Sequence, residues 1–193
     1  MCEVQEEEME YEGIRLNVVA HMGSARFPVQ VDIAFGDAIE RPRRRAHLEV
    51  LLEFPAPHLM VYPWESVIAE KFQAIVELGM GNSRMKDFFD LNHLAGNLSL
   101  NGVKLSRAVA ATFKRRRTKL PLKDPIGLTP EFIGDAVKQA QWRAFLRRIR
   151  QDSERLTLEV VVEKIRVFIM PLVEALASRK SFKKKWPKGG PWR

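Results

Sequence analysis

An aspartate stands where a strand-like stretch has no structural use for one. Residues 27–35 read FPVQVDIAF, which sets Val29, Val31, Ile33 and Phe35 on one face and Asp32 with Gln30 and Ala34 on the other. An acid in such a run is unfavourable unless something uses it. It is either a carboxylate aimed into a cleft, as metal ligand or general base, or an acid on a solvated sheet face. Lys71 is the second candidate. Its helical neighbours are Val67, Ala74 and Leu78, so its face is largely apolar, whereas Glu70 shares a face with Ser66, Gln73 and Glu77 that reads as solvent. A lysine so placed either meets an anion, such as a nucleotide phosphate, or lays its stem over the edge of the core. The third is NSRMKDFFDL, residues 82–91. Here Arg84 and Lys86 could hold phosphate while Asp87 or Asp90 orients a base or Lys71. The same spacing also suits salt bridges within a helix, with Asp87 favoured in the first turn by the helix dipole. The fourth is a cationic run, Lys114, Arg115, Arg116, Arg117 and Lys119, five bases in six residues. It either ends a helix, where cations are favoured, or contacts a nucleic-acid backbone.

The elements that must carry these residues change character along the chain. Ile14–Ala20 and Phe27–Phe35 read as strands joined at Gly23-Ser24, residues 41–45 as a basic loop, and His47–Phe54 as either a third strand or, over 48–52, a helical turn. From Trp64 the pattern is helical. Helices are expected over about 65–78 (closed by Gly79 and Gly81), from an Asn82 or Ser83 cap to about 95, over 105–117, over 130–150 behind Thr129-Pro130, and over 157–176 with a kink or split at Pro171. Strands followed by helices make an α+β protein, a small antiparallel sheet followed by a helical C-terminal part. Three regions are expected: 1–60 with the sheet, 61–177 helical, and 178–193 a basic disordered tail mixing lysines with Trp186 and Trp192. Such a tail could bind single-stranded nucleic acid by charge and stacking, or serve only solubility.

The chain has 193 residues, 46% hydrophobic and 29% charged, with a formal net charge of +8. The first twelve residues hold six glutamates and the last fifteen carry seven bases, yet the body between them is basic too. A basic body favours phosphate-rich partners. The single cysteine, Cys2, excludes a disulfide framework and a multi-cysteine metal site. The four histidines show no metal spacing, and no P-loop or dinucleotide fingerprint is present. No apolar run is long enough to span a bilayer, and the acidic start is unlike a secretory signal, so a cytoplasmic location is the expectation.

Taken together, FPVQVDIAFGD at 27–37, YPWESVIAEK at 62–71 and NSRMKDFFDL at 82–91, with TFKRRRTKLP at 112–121 and QWRAF at 141–145, resemble the nucleotidyl transferase AbiEii/AbiGii toxin family. The resemblance runs from about residue 11 to 176. It implies a polymerase-β-like nucleotidyltransferase, a toxin of toxin–antitoxin and abortive-infection systems. Such a toxin is paired with an antitoxin protein and uses NTP with Mg²⁺, in some members on tRNA. By resemblance Asp32 is the carboxylate near the metal, and Lys71 is the nucleotide-contacting lysine. Asp87 or Asp90 is the acid of the last motif, with Arg84 and Lys86 beside it. One departure stands out. The family's first motif, a Gly-Ser turn followed by an Asp-x-Asp pair that holds the metals, has no counterpart here beyond Gly23-Ser24 and the single Asp32. The expectation is a member lacking that motif, with an incomplete sheet whose strand at 14–20 is left as an open edge. Two activities are then open: nucleotidyl transfer, impaired to some degree, or a non-catalytic remnant that binds nucleic acid or antitoxin.

Overall fold

The computed structural model describes residues 3–5, 13–35, 44–47, 50, 53–152 and 155–193. Its chain divides into two units, residues 1–37 and 38–193, a boundary earlier than the expected one near residue 60. The architecture is α+β, small antiparallel sheets followed by a helical part.

The first unit is a three-stranded antiparallel sheet of β1 (Glu3–Gln5), β2 (Gly13–Met22) and β3 (Ala25–Ala34), in that order. Gly23, at φ 60°, opens the two-residue turn between β2 and β3, where a side chain would be strained. The register places Ile14, Leu16, Val18 and Ala20 opposite Ile33, Val31, Val29 and Phe27, so the apolar residues of both strands share one face. Arg15 and Asn17 face Asp32 and Gln30 on the other. The edge of β2 is met by β1 at Arg15–Asn17, so it is not wholly open.

The second unit begins with a two-stranded pair, β4 (Arg44–His47) and β5 (His58–Val61). Thus the second half of the expected basic loop is strand. The expected strand over 47–54 falls partly outside the described residues. Helices follow: α1 (Trp64–Leu78), α2 (Met85–Asn97), α3 (Gly102–Arg115), the short α4 (Pro130–Gly134), α5 (Ala136–Arg148) and α6 (Leu158–Ala177). The core is theirs. Ile68, Phe72, Phe88, Leu105, Phe113, Trp142, Ile165 and Phe168 are shut away from solvent. By the usual yield of apolar burial, each large side chain stabilises the fold by roughly 1.5–3 kcal/mol.

Three stretches differ from expectation. The helix expected over 130–150 breaks at Gly134–Asp135, because the Asp135 carboxylate accepts from the Lys138 amide and starts α5 afresh. Pro171 does not split α6, which runs through it with Ile169, Met170, Leu172 and Val173 buried on either side. The tail beyond Ala177 is ordered rather than disordered. Its strand β7 (Lys185–Trp186) pairs with β6 (Leu100–Asn101). Trp186 donates to the Ala95 carbonyl and Trp192 to that of Phe168, and both rings pack on Phe168. These aromatic anchors outweigh the composition that suggested a free tail.

Candidate functional site

The start of α2 is built by Asn82. This residue is buried, its side-chain oxygen accepts from the Arg84 amide at 2.8 Å, and its carbonyl accepts from the Lys138 ammonium at 3.0 Å. Lys138 is itself buried and lies 5.5 Å from the centre of the Phe132 ring. These Asn82 contacts hold the turn that leads into α2, but neither Asn82 nor Ser83 caps it: the helix starts behind Arg84 with no side-chain cap. Arg84, Lys86, Asp87 and Asp90 are thereby brought to the side of α1 that carries Lys71.

Lys71 sits between two carboxylates, 2.5 Å from Asp87 and 2.8 Å from Asp90. Asp90 is also held by Lys86, one helical turn back. All three members of the Lys71–Asp87–Asp90 cluster are partly buried. Burial alone would push the Lys71 ammonium down. The hydrogen bonds and charges of Asp87 and Asp90 more than reverse this, so it titrates above an ordinary lysine. Likewise burial would raise Asp90, but Lys71 and then Lys86 hold it below the usual carboxylate range.

Beside this cluster lies a hollow of ≈300 Å³, lined by Glu70, Lys71, Arg84, Asp87 and Arg116 over an apolar floor of Val67 and Ala74. Arg116 is one of the five bases assigned above to nucleic-acid contact, yet it turns into this hollow. Its guanidinium donates to Gln73 at 2.8 Å and lies 3.8 Å from Glu70. Gln73 in turn donates to Thr118, whose hydroxyl donates to Glu77. The Ser66–Gln73 face of α1, which reads as solvent in the sequence, is buried against α3. Gln73 is therefore a positioning residue that sequence reasoning missed; the only signal for it was a lone amide on a helix later covered. Of the remaining bases in the run, Lys114, Arg115, Arg117 and Lys119 are exposed.

Asp32 lies in the other unit, on the polar face of β3. It is exposed and accepts from Arg15 at 2.8 Å and from Gln30 at 3.0 Å. The Arg15 hydrogen bond is the main reason its carboxyl lies below the usual range.

Residues 2–175 match the family model for the nucleotidyl transferase AbiEii toxin of type IV toxin–antitoxin systems. The chain belongs to this AbiEii family. No curated protein and no solved structure matches it. Members of a nucleotidyl transferase family use NTP and a divalent metal, so the donor set of the AbiEii chain can be tested. Among the described residues no group of three His, Cys, Asp or Glu side chains is placed to hold a metal. Asp32 is engaged by Arg15, and Asp87 and Asp90 are engaged by Lys71. The described residues do not fit a Mg²⁺ site, and Asp32 is not given a metal role on this geometry. Among the described residues, no helix is long and apolar enough to cross a membrane.

Proposed function

We propose that this AbiEii-family chain is a nucleotidyl transferase toxin that binds the triphosphate of an NTP in the hollow at Lys71, Arg84 and Arg116. Transfer then goes to an acceptor such as tRNA, and an antitoxin is the protein that counters it. The observation that carries this reading is the held lysine. Two carboxylates and burial fix the Lys71 ammonium at one point, with two guanidinium groups beside it. The hollow also holds the Glu70 and Asp87 carboxylates, so a phosphate competes with them for Lys71 and Arg116, while the arginine forks suit phosphate oxygens. In the transfer itself an acceptor oxygen bonds to the α-phosphorus. The bond to the pyrophosphate leaving group breaks, pyrophosphate keeps the electron pair, and the acceptor proton passes to water. Lys71 is the group that touches the reacting phosphates, and Asp87 and Asp90 hold it in place.

A second reading is favoured by the missing donor set: a non-catalytic member that binds nucleic acid or antitoxin through Lys114, Arg115, Arg117, Lys119 and the basic tail. Calorimetric titration with each NTP, with and without Mg²⁺, separates the two. The transferase reading expects NTP binding that Lys71→Ala weakens at least about tenfold, the size of a lost charged hydrogen bond. NTP affinity unchanged in that variant would remove the reading. Steeply salt-dependent RNA binding without any response to NTP or metal would establish the second one.

A further inference from the structure

The carboxylates around the hollow at Lys71 are already engaged by cations. Asp87 and Asp90 converge on one point, and the Lys71 ammonium occupies it, 2.5 Å from the first and 2.8 Å from the second. Asp90 also takes Lys86. Glu70 stands 3.8 Å from Arg116. Mg²⁺ binds through one or two carboxylates at close range and in strict octahedral geometry. A dication at Asp87 and Asp90 would therefore have to evict the ammonium, because two cations at one point repel each other. The bases at hand are Lys71, Arg84, Lys86 and Arg116 and the acids are Glu70, Asp87 and Asp90, so one positive charge is in excess before a ligand arrives. Among the described residues the Arg84 guanidinium pairs with no carboxylate. An ammonium has three N–H donors. Two of those of Lys71 go to Asp87 and Asp90, and among the described residues the third meets no partner.

We infer that Lys71 is a resident counter-ion in the place of a divalent metal, and that the hollow takes the triphosphate of an NTP in its metal-free form. The inference rests on the nucleotide reading of the hollow and adds the ionic form of that nucleotide. A metal-free triphosphate carries two more negative charges than its Mg²⁺ complex and keeps all its oxygens for N–H donors. The open N–H of Lys71, the Arg84 fork and the Arg116 guanidinium, aimed by Gln73, are such donors. Asp87, Asp90 and Glu70 would repel a bare triphosphate, but each lies against a cation that offsets its charge. The whole chain, at +8, also draws the more anionic form. A Mg²⁺ complex brings less charge to the arginines and a dication to carboxylates that have no free place for it. Mg²⁺ therefore competes with the hollow for the triphosphate instead of bridging the two.

The test uses the full chain, titrated calorimetrically with each NTP, once in EDTA and once in excess Mg²⁺ at equal ionic strength. Binding in EDTA is expected, several-fold tighter than in Mg²⁺. Lys71→Ala is expected to weaken binding in EDTA about tenfold. It is also expected to reverse the sign of the metal effect, because a dication can join Asp87 and Asp90 once the ammonium is gone. Circular dichroism checks that the variant is folded, and the wild-type comparison needs no variant. NTP binding that appears only with Mg²⁺ overturns the inference while the nucleotide reading stands. Mg²⁺ weakening binding to Lys71→Ala as it does to the wild type also overturns it, since the ammonium would then not be what keeps the metal out. Metal-free binding that Lys71→Ala leaves untouched would put the nucleotide on another basic surface. The nucleotide reading of this hollow then fails, and the inference falls with it. The same holds if no NTP binds in either buffer.

Discussion

Lys71 and Asp90 depend on each other, and pH shows how much. Asp90 titrates lower in the folded chain than in the unfolded one. Its contribution is therefore complete above the ordinary Asp value of about 3.9 and disappears as pH falls through the lowered value. Lys71 titrates higher when folded, so its contribution is complete below the ordinary lysine value of about 10.4 and is lost as pH rises through the raised value. Asp90→Asn should therefore lose less stability than the wild type between neutral pH and pH about 3. Urea midpoints across that range check it, and parallel slopes for the two proteins would contradict it. Gln73 supplies a separate test. Gln73→Leu keeps the volume but removes the acceptor that aims Arg116. NTP affinity should fall by several-fold, less than in Lys71→Ala, with the helical fold retained. If NTP affinity stays at the wild-type level, Gln73 serves only the packing of α1 on α3.

The junction of α3 with the tail rests on one glycine. The Gly102 amide donates to the Lys184 carbonyl, and a Cβ at that position would lie 2.7 Å from that oxygen and 2.7 Å from the Phe182 ring. Gly102→Ala must push β7 away from β6, and overpacking of this kind costs about 1–3 kcal/mol. A lower melting temperature is expected, with tryptophan emission shifted to the red as the Trp186 side loosens. Unchanged emission and melting would show that the tail is anchored elsewhere. This junction also marks what the sequence could and could not reveal. Helices were legible where the signal was local: Thr157 caps α6 through the Val160 amide, and Val161, Ile165, Phe168, Leu172 keep the helical period. The Gly134–Asp135 break was equally local but hidden inside an otherwise periodic stretch. The tail was not legible, because Trp186 finds its partner at Ala95, 91 residues back. In the candidate site Lys71, Arg84 and Asp87 could be picked out as polar residues beside apolar ones. Arg116 looked like its exposed neighbours because nothing in the run says which base turns inward.

Charge and burial divide the chain differently. The helical unit has a deep core of its own, whereas β3 keeps Phe27, Val29, Val31 and Ile33 exposed to between 38 and 46%. A sheet of so few strands with an uncovered apolar face is marginal in water. Its backbone amides are protected only by the ladder itself, while those of α1, α3 and α6 can open only if the core opens. Hydrogen exchange of the full chain should therefore show the β2–β3 amides exchanging orders of magnitude faster than those of α1 and α6. The outcome bears on Asp32, which shares that sheet. Fast exchange would mean that the Arg15–Asp32 pair belongs to a part of the chain that opens without the core. An acid there is poorly suited to hold a reacting group in place, and the chemistry would rest on the helical unit. Exchange as slow as that of α6 would contradict the prediction. It would mean that the apolar face is covered in solution, and that Asp32 stands on a firm support after all.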